Sequence, residues 1–314
     1  MNIRLLFIKI CRRIKPIFLN EETYLKVLFY LKMGYKLDLK HPKTHSEKCQ
    51  WLKLYYRRPE FVTMVDKLAV KDFVANLIGK EYIIPTLGIW NNPKEIEWEN
   101  LPQQFVLKTT HGGGGAGVVV CKDKNNFDKE EAERTLTFAM KQDIAKYSCE
   151  WMYGQVPRRI IAERLIIEEG KPSPDDYKVM CFNGEVKLIE YHTGRNSKSH
   201  TQDFYDRNWE KTAITQGKSY GETSDITIER PSKLDEMIRL SEFLAKGLPH
   251  VRVDWYMVNK KLYFGEITFF DGSGLAPWDK YEYDLLMGSW ITLPEKIVEK
   301  KTKDFGIQIA DMFY

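Results

Sequence analysis

The residues best placed to do chemistry lie in VRVDWYMVNKKLYFGEITFFDGSG, residues 251–274. This stretch reads as two adjacent strands, Val251–Val258 and Leu262–Phe270, with Asp254 on the first and Glu266 on the second. Side chains alternate between faces along a strand, so two opposed carboxylates share a face only if the register pairs them. A three-residue turn at Asn259–Lys261 sets Asp254 directly opposite Glu266. A two-residue turn is expected to put them on opposite faces and remove the site. In the favourable register Arg252 and Thr268 join the same face. Hard oxygen ligands grouped in this way suit Mg²⁺, and a guanidinium beside them suits phosphate or charge developing on a transferred group. The bland alternative is a cross-strand pair, Arg252 with Glu266, on a solvated sheet.

A second stretch, FVLKTTHGGGGAGVVV at 105–120, sets Lys108 near the end of a strand and follows it with Gly112, Gly113, Gly114, Gly115 and Gly117. Glycines let the backbone approach an anion closely and aim several N–H groups at it, while the lysine adds a point charge. No Lys-Ser/Thr follows and the next element is a strand, so this is neither a P-loop nor a dinucleotide-binding turn. A strand–loop–strand unit of this kind folds as a flap over phosphates. Its alternative is a hairpin tip without a ligand. His111 is read as an anchor of the loop.

The elements that must position these residues are legible in outline. Glu22–Met33, His41–Tyr56 and Asp66–Ile78 read as helices, the first ended by Gly34 and the last by Gly79. A short strand is expected at Tyr82–Ile84. Strands follow at Phe105–Lys108 and Val118–Cys121, then a helix at Lys129–Lys141 and a strand at Arg159–Ile167. Lys178–Phe182 and Val186–Tyr191 flank Asn183-Gly184, a strong hairpin signal. Ser232 is expected to cap a helix that runs to Leu244. Paired strands alternating with helices indicate an α+β protein with antiparallel sheets. The division expected is a mainly helical region 1–103, a smaller flap-bearing unit 104–170 and a larger unit 171–314.

Composition sets the outer limits. The chain has 314 residues, 43% hydrophobic and 29% charged, with a net charge of +4. That balance suits an enzyme of anionic substrates and gives no support for nucleic-acid binding. The five cysteines are scattered and never in a CxxC spacing, so neither a zinc site nor a disulfide framework is expected, and cytosolic reduced thiols are. No apolar run approaches the roughly 18 residues that span a bilayer, and the N-terminus is too charged for a signal peptide. Ile3, Leu6, Phe7, Ile10, Ile14 and Phe18 follow helical spacing among Arg4, Lys9, Arg12, Arg13 and Lys15. Such a helix either packs on the body or lies on an anionic membrane surface.

HPKTHSEKCQWLKLYYRRPE, DKLAVKDFV, LPQQFVLKTTHGGGG, RRIIAERLI, DYKVMCFNGEVKLI, YDRNWEK, RVDWY and FGEITFFDGSG, in this order, resemble the TupA-like ATP-grasp family of bacterial surface-polysaccharide gene clusters. The resemblance covers about residues 22–290. It implies an ATP-grasp fold, in which two α+β subdomains with antiparallel sheets sandwich ATP. It implies Lys67 and Lys108 as nucleotide-binding lysines, with Lys178 a further phosphate contact. Glu163 and the backbone of Arg164 and Leu165 would cradle adenine, and Glu168 or Glu169 would meet the ribose. Asp254 and Glu266 would bind Mg²⁺, with Thr268 where the wider superfamily has Asn. Arg252 would support an acyl-phosphate step, and Asp271, Ser273 and Gly274 would border the acceptor. The activity implied is ATP- and Mg²⁺-dependent joining of a carboxylate to an amine. The substrates would be a uronic acid or acidic amino acid and an amine, on a lipid-linked glycan at the inner membrane face. A glycosyltransferase and a phosphotransferase are the alternatives, and the absence of an Asp-x-Asp motif weighs against the first.

Overall fold

In the computed structural model, residues 6–12, 20–168, 171, 173–194, 200–217 and 220–297 are described. The helices α1 (Glu21–Met33), α2 (His45–Tyr55), α3 (Glu60–Val65) and α4 (Ala69–Ile78) come first. Asn20 caps α1 through the Thr23 N–H, and Gly34 ends it in the left-handed region. Thr44 and Glu47 form a reciprocal capping box on α2. Lys80–Tyr82 is a 3-10 turn, so the strand expected at Tyr82–Ile84 is displaced to β1, Thr86–Trp90.

Next come β2 (Phe105–Thr109), β3 (Val118–Cys121), α5 (Lys129–Met140), α6 (Ile144–Ser148) and β4 (Ile160–Arg164). The first sheet is antiparallel in the order β1-β4-β2-β3, so it draws its edge strand from upstream of residue 104. Leu136 of α5 packs with Phe105, Leu107, Ile160 and Ala162 to form its core.

The second sheet comprises β5 (Asp175–Phe182), β6 (Glu185–Thr193), β7 (Thr201–Tyr205), β8 (His250–Val258) and β9 (Lys261–Thr268), in the antiparallel order β7-β6-β5-β8-β9. Asn183 and Gly184, both at positive φ, make the β5–β6 turn. Helix α7 (Leu234–Leu244) precedes β8 and α8 (Tyr281–Ser289) follows β9. Lys233, not Ser232, precedes α7, and no side-chain cap bond forms there. Tyr177, Val179, Cys181, Ile189, Val251, Val253 and Trp255 face a core shared with Met237, Leu240 and Leu244 of α7. The alternate positions of the same strands carry Asp176, Lys178, Glu190, His192, Arg252 and Asp254, all buried. A buried polar face must be paired internally or serve a ligand.

In the helical residues 6–12, Ile8 and Cys11 are buried, while Leu6, Phe7 and Ile10 are exposed. The packing side is therefore not the apolar stripe of the periodic pattern. Ile3, Arg4, Arg13, Ile14, Lys15 and Phe18 lie outside the described residues.

Candidate functional site

Asp254 stands opposite Glu266, and Arg252 opposite Thr268. The route to that register corrects the sequence expectation. Val258 pairs with Lys261, so the turn has two residues, Asn259 and Lys260, both left-handed. That turn alone would misplace the carboxylates. A bulge restores them: Trp255 pairs with Phe264 and Asp254 with Glu266, which leaves Gly265 as the extra residue.

Arg252 organises the face. Its Nε donates to Asp254 Oδ1 at 2.6 Å, and Nη2 donates to Asp254 Oδ2 at 2.8 Å and to Glu266 Oε1 and Thr268 Oγ1 at 3.3 Å. Nη1 donates to Asp271. Lys178 donates to Asp254 Oδ2 at 2.7 Å and lies 3.3 Å from Asp176. Burial raises the Glu266 carboxyl, but the charges of Lys67 and Arg252 more than offset this and hold it below the usual range. Burial pushes Asp271 upward despite Arg252, and the nearby Glu190 adds to the rise. The cations Lys67, Lys178 and Arg252 thus face the carboxylates of Asp176, Glu190, Asp254, Glu266 and Asp271. The excess of hard, anionic oxygen suits a divalent cation, so the donor set fits Mg²⁺.

The flap reaches this face through one side chain. Lys67 Nζ donates to the Gly112 carbonyl at 2.8 Å and to Glu266 Oε2 at 3.0 Å. Beneath the flap, Lys108 lies 2.6 Å from one Glu163 oxygen and Lys71 lies 2.5 Å from the other. Arg159, at the start of the same segment, pairs with Asp66 at 2.8 Å.

Among the flap glycines, Gly114 has φ +63° with open space where a Cβ would stand. Gly117 has φ +77°, and a Cβ there would lie 2.6 Å from the Ala139 Cβ and 2.7 Å from Thr109 Oγ1. Gly114→Ala is expected to cost about 1 kcal/mol, the strain of a left-handed non-glycine residue. Gly117→Ala adds overpacking and is expected to cost about 2–4 kcal/mol. Urea unfolding of the two variants checks this; equal losses would contradict it.

Several expected site residues are engaged otherwise. The Arg164 N–H donates to the Pro85 carbonyl at 3.1 Å, so it is committed within the fold. The Arg164 side chain is exposed, and Leu165 follows half-buried. Glu168 accepts from the Asn259 N–H at 2.7 Å, which ties it to the β8–β9 turn; Glu169 lies outside the described residues. Ser273 donates its hydroxyl to Glu150, and its carbonyl accepts from Lys53 at 2.6 Å. Gly274 accepts from Gln50 at 2.8 Å. Ser273 and Gly274 are thus turned toward α2, while Asp271 faces Arg252.

Sequence reasoning missed Lys71 and a polar group beside Lys178. His192 Nε2 lies 2.6 Å from Glu190 Oε1 and its Nδ1 lies 2.9 Å from His200 Nε2, while Gln202 donates to Glu190 Oε1 at 2.6 Å. Glu190 Oε2 is buried with no hydrogen-bond partner among the described residues. Glu190 and His192 stand two apart on β6 and so share a face, a signal available from the sequence.

A family model described as TupA-like ATPgrasp matches residues 47–292. Among solved structures, the chain is similar to D-alanine–D-alanine ligase from Helicobacter pylori, with 15% identity, 81% of this chain and 68% of that chain covered, and a TM-score of 0.43. It is also similar to D-alanine–D-alanine ligase from Bacillus anthracis complexed with ATP, with 14% identity, 71% and 55% covered, and a TM-score of 0.38. A third is a RimK domain protein ATP-grasp from Sphaerobacter thermophilus, with 10% identity, 76% and 70% covered, and a TM-score of 0.41. The chain thus spans little more than half the length of the Bacillus anthracis enzyme. No curated protein matches it.

Proposed function

The chain belongs to the TupA-like ATP-grasp family, and on that premise we propose that it joins a carboxylate to an amine at the expense of ATP, through an acyl phosphate. The observation that carries the proposal is the double contact of Lys67, which binds the flap at Gly112 and the carboxylate hairpin at Glu266. Flap and hairpin therefore border one space, as a nucleotide held between them requires.

In this reading Lys67, Lys108 and the N–H groups of Gly112, Gly113, Gly114 and Gly115 hold the phosphates, with Lys178 at their edge. Glu163 keeps Lys108 extended, and, with the Arg164 N–H held by Pro85, the Leu165 backbone is what lines the adenine. Asp254, Glu266 and Thr268 would hold Mg²⁺, which when bound neutralises phosphate oxygens. Arg252 stabilises charge on the transferred phosphoryl group and orients the attacking carboxylate beside Asp271. Closure of the glycine flap keeps water from the acyl phosphate. The unpaired oxygen of Glu190 offers a counter-charge to the incoming ammonium. A uronic acid or acidic amino acid is the proposed carboxylate, with an amino acid or amino sugar as the amine, in surface-polysaccharide assembly.

The test is a screen of acid and amine pairs for ADP and phosphate release. Free phosphate that appears only with both partners supports ligation. Phosphate retained on the product indicates a phosphotransferase, and sugar-nucleotide consumption without ATP turnover indicates a glycosyltransferase; either outcome sinks the proposal.

Among the described residues no helix is long and apolar enough to cross a membrane. Exposed Leu6, Phe7 and Ile10 beside Lys9 and Arg12 support peripheral contact with anionic lipid, which would bring a lipid-linked glycan to the site. Equal sedimentation with phosphatidylglycerol and phosphatidylcholine vesicles would remove that part of the proposal.

A further inference from the structure

A cluster outside the proposed phosphate chemistry, though next to it along β8, brings together ligand types that the cysteine spacing did not reveal. His45 and Cys49 stand four apart on α2, and so share a helix face. His250 begins β8. All three are buried: His45 and His250 are 2% exposed and Cys49 is 0% exposed. His45 Nε2 lies 3.2 Å from His250 Nε2 and 3.5 Å from Cys49 Sγ, and the three atoms lie within 4.8 Å of one another.

We propose that His45, Cys49 and His250 form a binding site for one soft d¹⁰ metal ion, zinc(II) or copper(I). The atoms already stand close to coordination spacing. Zinc bonds of about 2.0–2.1 Å to nitrogen and about 2.3 Å to sulfur put tetrahedral ligand atoms roughly 3.3–3.6 Å apart. The N–N and one N–S separation match within a few tenths of an ångström, and the second sulfur contact closes with a small turn of the Cys49 side chain.

Orientation supports the same reading. His250 Nδ1 lies 3.0 Å from the Cys181 carbonyl, which places its proton there and leaves a lone pair on Nε2 facing the other ligands. A carbonyl that fixes the tautomer from behind is the usual outer partner of a metal-bound histidine. Burial lowers both imidazoles from their ordinary value and so keeps them neutral, the form that ligates. Burial pushes the Cys49 thiol up, so without metal it keeps its proton. Binding releases that proton to solvent and moves the His45 ring proton to Nδ1. The Asp284 and Asp271 carboxylates bias His45 toward positive charge, while Arg252 acts in the opposite sense on His250.

Among the described residues no fourth His, Cys, Asp or Glu joins the group, which leaves a three-coordinate N₂S set. Gly274 packs so tightly on Cys49 that an added Cβ would lie 2.5 Å from the Cys49 Cβ. A metal there would fix α2, β8 and the DGSG loop relative to one another, and its burial means that it enters during folding.

The test does not depend on catalysis. The full chain is unfolded with chelator, refolded with Zn(II), with Co(II), or anaerobically with Cu(I), then desalted and analysed for metal. About one ion per chain is expected, with a near-ultraviolet thiolate-to-cobalt charge-transfer band that the carboxylate face cannot produce. Cys49→Ser and His250→Gln are each expected to lower retention at least about tenfold. Competition between Zn(II) and Cu(I) decides which ion the site takes. Folded native protein with no thiolate–cobalt band and less than about a tenth of an equivalent of either ion would overturn the proposal. Folded Cys49→Ser protein that keeps the full band would overturn it equally.

Discussion

Glu266→Gln is expected to lower Mg²⁺-dependent ATP turnover by about 10²–10³-fold while shifting the thermal midpoint by only a few degrees. The Glu266 side chain is 35% exposed, and its contact with Lys67 is partly solvent-screened, so the loss of that pair costs little stability. What it removes is a hard anionic ligand on the face shared with Asp254. Asp254→Asn is expected to match it in activity and differ in stability. Asp254 is 2% exposed, and its two oxygens accept from Arg252 and Lys178. Removing that charge leaves two cations under-compensated in a buried place, at a cost of about 3–5 kcal/mol. ADP production against MgCl₂ concentration, read alongside thermal unfolding, separates the two. Full turnover in Glu266→Gln would refute the metal assignment.

The second large effect belongs to Glu163. It is 5% exposed and bridges Lys71 and Lys108. Glu163→Ala leaves two ammonium groups facing one another without their shared counter-ion, and a loss of about 3–5 kcal/mol is expected. Lys108 is then repelled from its place under the flap, so nucleotide affinity should fall as well. Acid reveals the same contact. Burial alone would raise the Glu163 carboxyl, but the charges of Lys108 and Lys71 and their hydrogen bonds more than offset it and hold it below the usual range. A depressed folded value means that the stabilisation is fully present above the unfolded value of about 4.3. It is lost as pH falls below that and through the depressed folded value. The gap in urea midpoint between wild type and Glu163→Gln at neutral pH should therefore close in acid. A variant gap that persists undiminished in strong acid would contradict this account.

What the sequence revealed was local. The Asn183-Gly184 turn, the Gly34 helix end and the strand Val118–Cys121 follow from short-range chemistry and stand where expected. The paired carboxylates were legible as a pair, but their register was not. Alternation predicts facing only in an uninterrupted ladder, and the turn and Gly265 depart from the simple case by one residue each, with opposite effects. Strand β1 escaped because TLGIW lacks clean alternation and follows a 3-10 turn. Lys71 escaped because its meaning depends on Glu163, far away in sequence. The histidine–cysteine cluster escaped for the same reason: two members are four apart, but the third arrives from another element.

The extra residue at 265 divides the β8–β9 hairpin into two mechanical halves. Outward of it, the tip from Trp255 to Phe264 follows one pairing frame; inward, Arg252, Asp254, Glu266 and Thr268 follow another. Deleting Gly265 would force the frames to agree, either inverting the inward segment of β9 or turning the outer segment inside out. Turn length and bulge are therefore coupled: a one-residue change at Asn259–Lys260 keeps Asp254 opposite Glu266 only if the bulge at 265 changes with it. The two small irregularities, one at the tip and one at Gly265, thus act as a single device that holds the two carboxylates to a common face.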